Sequence, residues 1–298
     1  MIANFNVCMF VHSFNYYQMK RIYLSVIVFV FACAITNAQQ LNIGTYNLRY
    51  ANAADSAAGN GWGLRYPVIA QIIRFNDLDI FGTQEGWKPM LENLNDSLPG
   101  YKWIGVGRNG GDKGEHSAIV YKTAKFKLLK SGDFWLSPTD TEHPNVGWDA
   151  ALTRVCTWAQ FKEIKTGFVF NFFNVHMDHV GVVARRESAK LIMAKMKEMV
   201  GGIPTILTGD FNVDQNSEAY KTINDSGLLK DCYTLAPVKL ATNNSFNSFN
   251  INLKNTGARI DHIFVTKEFK PLRYAILTNT FNGHLPSDHY PVVVVLSR

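Results

Sequence analysis

The stretch "ILTGDFNVD", Ile206 to Asp214, runs an apolar segment straight into Asp210 and places Asn212 two residues further on. A buried strand needs no charge at its end, whereas a site built at the carboxyl end of a strand does. Other segments carry polar residues in the same way. Asn47 ends "LNIGTYN", Glu85 ends "FGTQE", and His176 and Asp178 end "FNFFNVHMD". Asp261 sits inside "ARIDHIFVT", and Asp288 with His289 precedes a run of four valines. Taken singly, each has a bland reading, because terminal Asp and Asn residues serve in turns and a lone histidine commonly packs or faces solvent. Taken together they are hard oxygen ligands, amides and two imidazoles, all beside apolar strands. The chemistry open to such a set is cation binding and proton transfer.

Positioning these residues takes many strands. Leu41–Tyr50 alternates, Leu78–Glu85 reads as a short buried strand, and strand-like runs follow at Trp103–Val106, Ser117–Tyr121 and Phe126–Trp135. Thr153–Phe161 and Phe168–His176 continue the pattern, and the chain closes with strands near Ala258–Thr266, Leu272–Leu277 and Pro291–Leu296. Helices are fewer. Pro67 suits a first helical position ahead of Ile69, Ile72 and Ile73. Ala189, Ile192, Met196 and Met199 give Val182–Val200 one apolar face. Ser217 caps a short helix to Asp225. Many strands with few helices point to one sheet-on-sheet core with helices outside.

The 298 residues are 47% hydrophobic and 18% charged, an ordinary globular composition. The net charge of +6 is spread along the chain without a Lys/Arg block, weak support for an anionic partner. Lys20 and Arg21 precede the apolar run Ile22–Ile35, and Thr36 and Ala38 give the small residues of a cleavage site. This reads as a signal peptide starting at Met19, with residues 1–18 an over-extended start. At 14 residues the run is short of the roughly 20 that span a bilayer. The expected location is secreted or periplasmic, without stable membrane insertion after cleavage. A lipid-modified Cys33 is the alternative, for which Phe31 is a poor neighbour. The domain is then residues 39–298, with a charge of +4 and two cysteines, Cys156 and Cys232, read as free buried thiols. A monomer is expected.

Six motifs in order, "TYNLR" (45–49), "GTQEG" (82–86), "NVHMDH" (174–179), "TGDFN" (208–212), "RIDHIFV" (259–265) and "SDHYPV" (287–292), resemble the endonuclease/exonuclease/phosphatase superfamily. They cover essentially all of residues 39–298. The resemblance implies an α/β fold, a four-layer sandwich of two mixed sheets packed face to face with helices outside. It implies phosphoester hydrolysis by in-line attack of activated water, with magnesium or manganese as cofactor. Asn47, Glu85 and Asp288 are then the metal residues, and such an ion offsets charge on phosphoryl and leaving oxygens. Asp210 orients and deprotonates water, and Asn212 donates to phosphate or ligates metal. His289 has Asp261 as partner, and a protonated His176 can hold a phosphate oxygen. Which histidine is acid and which is clamp stays open, as does the choice between one and two metals.

Glu115 sits where the family often steadies a catalytic histidine; a solvated loop acid is the alternative. Arg154 offers a fork of donors to phosphate, against a surface strand-end arginine. Asp178 and His179 extend the His176 motif in the manner of deadenylase-like branches. Arg185 and Arg186 oppose the dipole of their helix, which would suit a nearby anion; simple solvated residues are the favoured reading. Trp135 and Trp148 are read as packing rather than base-stacking residues, and the Thr242–Asn255 loop as a wall of the pocket. The expected substrate is a nucleic acid, nucleotide or other phosphodiester, because no Lys/Arg cluster lies near a motif. Inositol phosphates or sphingomyelin-like head groups are the alternative, and a non-catalytic binding module is a third reading.

Overall fold

The strands form two mixed sheets whose central members are buried along nearly their whole length. The computed structural model describes residues 40–298; the expected signal peptide, residues 1–38, lies outside them. The first sheet has seven strands, in the order β10-β12-β13-β1-β2-β4-β3. These are β1 (Leu41–Asn47), β2 (Ile80–Gln84), β3 (Tyr101–Ile104), β4 (Ile119–Lys122), β10 (Val238–Leu240), β12 (Lys270–Ile276) and β13 (Val292–Ser297). The second has six, in the order β5-β6-β7-β8-β11-β9. They are β5 (Phe126–Trp135), β6 (Val155–Glu163), β7 (Val169–His176), β8 (Thr205–Asp210), β9 (Lys230–Asp231) and β11 (Asp261–Val265).

Three apolar clusters define four layers. Ile43, Ile80, Phe161, Phe172, Ile206 and Val294 belong to the cluster between the sheets. Helices α1 (Ala53–Ala57), α2 (Trp62–Phe75) and α3 (Lys88–Asp96) follow β1 and β2, and α4 (Val182–Val200), α5 (Glu218–Asn224) and α6 (Cys232–Leu235) belong to the second half of the chain. Ile69, Ile73, Leu91 and Leu94 of α2 and α3 pack with Phe81 and Val120 of the first sheet. Ile192 and Met196 of α4 pack with Phe173 and Leu207 of the second. The expected four-layer α/β sandwich is therefore the observed one.

Pro67 is not a first helical residue. Helix α2 begins at Trp62, behind Gly61, and contains Pro67 in its interior. Buried Arg65 anchors that early turn by donating to the carbonyls of Leu48, Arg49, Asn60 and Pro286, a tertiary lock that outweighs the proline's cost to the helix. Cys156 and Cys232 are free and buried, as expected. No helix among the described residues is long and apolar enough to cross a membrane.

A polar seam crosses the interior between the sheets. Asn174 on β7 donates to the carbonyls of Thr83 and Ala118 and accepts from Gln84 and Thr208 at 2.8 and 3.0 Å. Gly82 makes room for it: a Cβ there would lie 2.1 Å from Asn174 Oδ1 and 2.5 Å from Thr208 Oγ1. Gly82→Ala should therefore cost about 1–3 kcal/mol, the usual range for overpacking. Chemical denaturation would check this, and an unchanged midpoint would show the seam to be adaptable.

Candidate active site

The polar strand ends meet at one edge of the sandwich because β1∥β2 and β7∥β8 run the same way and β11 and β13 start where those strands finish. Asp210 is the register partner of both His176 and Asp261. A local device repeats at the rim. Asn47 Oδ1 accepts from Arg49 N, Asp210 Oδ1 from Asn212 N and Asn247 Oδ1 from Phe249 N, at 2.8–2.9 Å. In each case the residue two positions on has φ of 50–54°. The Asx side chain closes the turn, and the left-handed residue swings the chain across the cleft. Glu85 is also left-handed, at φ 62°. Such residues cost about 1–3 kcal/mol each and gather at functional sites.

The cleft has a volume of about 730 Å³. At its deep end Asp210 Oδ2 accepts from Asn47 Nδ2 at 3.0 Å and lies 3.6 Å from Nε2 of both His176 and His289. Burial and the charge of Asp261 push the Asp210 carboxyl up to about 7. His289 Nδ1 meets Asp261 Oδ2 at 2.9 Å. Burial opposes the His289 charge, but Asp261 and Asp210 outweigh it, so this imidazole is held protonated well above its ordinary range. His176 goes the other way. Burial, with Arg154 and Arg108 adding to it, holds its imidazole well below the usual value. The expected protonated His176 is thus a neutral one in the free protein, and His289 carries the charge.

The expected metal residues divide. Glu85 accepts from Asn47 Nδ2 and Tyr50 N, both at 3.0 Å. Burial, opposed by His289 and reinforced by Glu85, lifts the Asp288 carboxyl, and Arg49 Nη1 lies 3.7 Å from it. Two carboxylates facing one cleft with so little compensation fit a hard cation. Asn47 does not present its oxygen to them. Its Oδ1 is engaged by Arg49 N, and its amide bridges Glu85 and Asp210 instead. Asp210, Asp261 and His289 also place ligand atoms within 4.8 Å of one another. There the bridging, protonated imidazole serves hydrogen bonding better than ligation.

The secondary residues are partly reassigned. Arg154 lines the cleft; its Nε donates to Asp178 at 3.3 Å, and its Nη1 is buried without a hydrogen-bond partner. Asp178 does not face a substrate. It accepts from Val180 N, Gly181 N and Leu152 N and braces Arg154. Glu115 lines the cleft but steadies no histidine; it holds Arg108 through two contacts of 2.8–2.9 Å. Asn212 is on the wall, its amide donating to Met177 O at 3.0 Å. Arg186 pairs with Glu187 at 2.8 Å and Arg185 donates to the carbonyl of Asp178, while Asp149 accepts from Val183 N and Ala184 N in the first turn of α4. Trp135 is packed, as expected, and Phe246 and Phe249 of the Thr242–Asn255 loop do line the cleft. Arg49, Arg108, Trp87 and His179 also line it and were given no role from sequence. The guanidinium groups come from three separate segments, so no local run of charge announces them.

Residues 44–289 match the Endonuclease/Exonuclease/phosphatase family, and the chain belongs to it. It is accordingly a metal-dependent phosphoester hydrolase. It is similar to a mannosyl-6-phosphatase of Bacteroides thetaiotaomicron, with 51% identity and a TM-score of 0.84 over 87% of this chain and 100% of that one. A family protein from the same organism matches at 51% identity and TM-score 0.84, covering 87% of this chain and 95% of its own. One from Bacteroides vulgatus matches at 37% and 0.81, covering 87% and 99%.

Asp210→Asn should leave a folded protein and lower hydrolysis about 10²–10⁴-fold, the usual loss for a positioned base. A loss of tenfold or less in steady-state rates would reduce Asp210 to a turn residue. Asp178 offers a stability test. Burial would raise its carboxyl, but the N–H groups of Gly181, Ala151 and Val180, with Arg154, bring it down to about 2. Its stabilising effect is therefore present above the unfolded carboxyl value of about 3.9 and fades as pH falls toward 2. Asp178→Asn should cost about 2 kcal/mol at pH 7, and the gap from wild type should be narrowing by about pH 3. A gap independent of pH in denaturation experiments would contradict this.

Proposed function

We propose that this chain is a phosphatase for phosphate monoesters of small polar alcohols, with a hexose 6-phosphate as the model substrate. The carrying observation is the convergence of Arg49, Arg108 and Arg154 on one cleft of small-molecule size. A monoester brings a dianion, and guanidinium groups recognise its oxygens as planar forks. The spread-out sequence charge had favoured a singly charged diester; the assembled cleft favours the monoester. The likeness to the B. thetaiotaomicron mannosyl-6-phosphatase over nearly all of the domain supports the same reading.

In this reading Glu85 and Asp288 hold the divalent cation, taken to be magnesium or manganese. Bound there, it stabilises charge on the phosphoryl and leaving oxygens. Asp210, raised toward neutrality, accepts a proton from the attacking water. Asn47 holds that carboxylate in place from one side and the Asn212 backbone N–H from the other. His289, kept charged by Asp261, offers its Nε2 proton beside Asp210, to the oxygens that gain charge. Arg154 donates its unpartnered Nη1 to a non-bridging oxygen. We also propose export, on the strength of the pattern from Met19 to Ala38; N-terminal sequencing of protein recovered outside the cytoplasm should begin just after Ala38.

The test is a comparison of kcat/KM for mannose 6-phosphate, single-stranded RNA, single-stranded DNA, inositol polyphosphate and sphingomyelin under one magnesium concentration. The sugar phosphate should be the best substrate, chelation should abolish the activity, and magnesium or manganese should restore it. A higher value for either polymer would return the assignment to a nuclease.

A further inference from the structure

His179 stands apart from the other cleft imidazoles. Its side chain is 51% exposed, against 10% for His176 and 5% for His289. Its Nδ1 lies 3.0 Å from Arg154 Nη2. A guanidinium has only donors, so the atom facing it must be an acceptor. The lone pair of His179 is therefore on Nδ1 and its proton on Nε2. Asp178 fixes the arrangement from behind: its Oδ2 accepts from Arg154 Nε, and its Oδ1 accepts from the backbone of Val180 and Gly181, which follow His179 directly.

Depth separates the ends of the cleft. Asp210, Arg154, His289 and Asp288 are buried, and they are the groups that can handle a phosphate and a cation. His179, Trp87 and Phe246 also line the cleft and are exposed, the last two at 47% and 36%. A phosphate at the deep end leaves its alcohol portion toward this exposed lining, where Phe246 packs against His289 with ring centroids 5.1 Å apart. Two aromatic faces and one neutral N–H donor suit a ring that is apolar on its faces and hydroxylated at its edge.

We propose that His179 Nε2 is a specificity-determining donor that recognises a hydroxyl of the substrate's alcohol portion, and that Arg154 and Asp178 set its tautomer. This rests on the phosphatase reading above. Through Arg154, whose buried and unpartnered Nη1 is assigned to the phosphate in that reading, one hydrogen-bonded unit would read both halves of the substrate. His179 touches no reacting atom in this arrangement; it discriminates between alcohols.

The test uses the purified enzyme with magnesium and two monoesters, mannose 6-phosphate and p-nitrophenyl phosphate, the second lacking hydroxyls. His179→Phe removes the donor, whereas His179→Gln keeps an acceptor for Arg154 and a donor for substrate. His179→Phe should lower kcat/KM for the sugar phosphate about tenfold more than for the aryl ester, the size of one neutral hydrogen bond. His179→Gln should recover most of that difference. Nitrogen NMR of the wild type should show the His179 proton on Nε2. Equal losses on both esters, no loss on either, or a proton on Nδ1 would each overturn the assignment while leaving the phosphatase reading intact. A wild type inactive on both monoesters would overturn the phosphatase reading and this assignment with it.

Discussion

Two buried carboxylates, Asp210 and Asp261, face each other directly across the antiparallel pair β8 and β11. Like charges in that position repel, and burial leaves little water to screen them. His289 resolves the conflict. It enters from the first sheet, just before β13, and meets Asp261 at 2.9 Å and Asp210 at 3.6 Å. The compensating cation therefore belongs to the opposite sheet, and the charge balance of the site ties the two sheets together at their edge. The same balance sets the state of Asp210, the base of the proposed mechanism. The one imidazolium is shared unequally, Asp261 takes the short contact, and Asp210 keeps a raised carboxyl.

Beneath this pair the seam around Asn174 does for position what His289 does for charge. Asn174 is bonded to Thr83, Gln84, Ala118 and Thr208, which belong to both sheets. All four hydrogen bonds of Asn174 in this network are made, which fixes one arrangement of its partners. Glu85 follows Gln84 immediately, and Asp210 lies two residues beyond Thr208, so both cleft carboxylates leave from strands pinned against each other. The left-handed residues then act over one step of chain only, which keeps the strain next to the atoms it positions.

This division between strand ends and loops decides what was legible in the sequence. Asn47, Glu85, His176, Asp210, Asp261, Asp288 and His289 could be collected because a polar residue ending an apolar run is conspicuous, and the structure brings all of them together. Helix Val182–Val200 and strand Phe126–Trp135 were readable to the residue because both are long, the helix with a continuous apolar face and the strand with buried ends at Phe126 and Phe134–Trp135. Helix Lys88–Asp96 was passed over, although Met90, Leu91 and Leu94 mark its buried face; nine residues give the period little room. Arg108 and Trp87 carry no local signal, since their meaning lies in what the fold sets opposite them. Asp178 misled because a carboxylate beside a catalytic histidine has the same sequence signature whether it faces the cleft or the turn behind it. Backbone N–H groups of the following residues decided the matter, and those depend on where α4 begins.

The arginines of the cleft share a design that bears on selectivity. Arg49 is held by Asp55, Arg108 by Glu115 and Arg154 by Asp178. Each carboxylate partner reduces the attraction its arginine offers to an anion, so the cleft does not act by bulk positive charge. What the partners supply is orientation, because a guanidinium with one edge occupied can turn only its remaining donors to a ligand. Arg154 is the extreme case, with Nε and Nη2 engaged and Nη1 left over in a buried place. A donor fixed in that way loses little freedom when an oxygen arrives, and it leaves an unpaired buried group when the oxygen is missing or misplaced. In the proposed phosphatase reading, selectivity then comes from the geometry of a few pre-set donors, which a small rigid substrate can satisfy all at once.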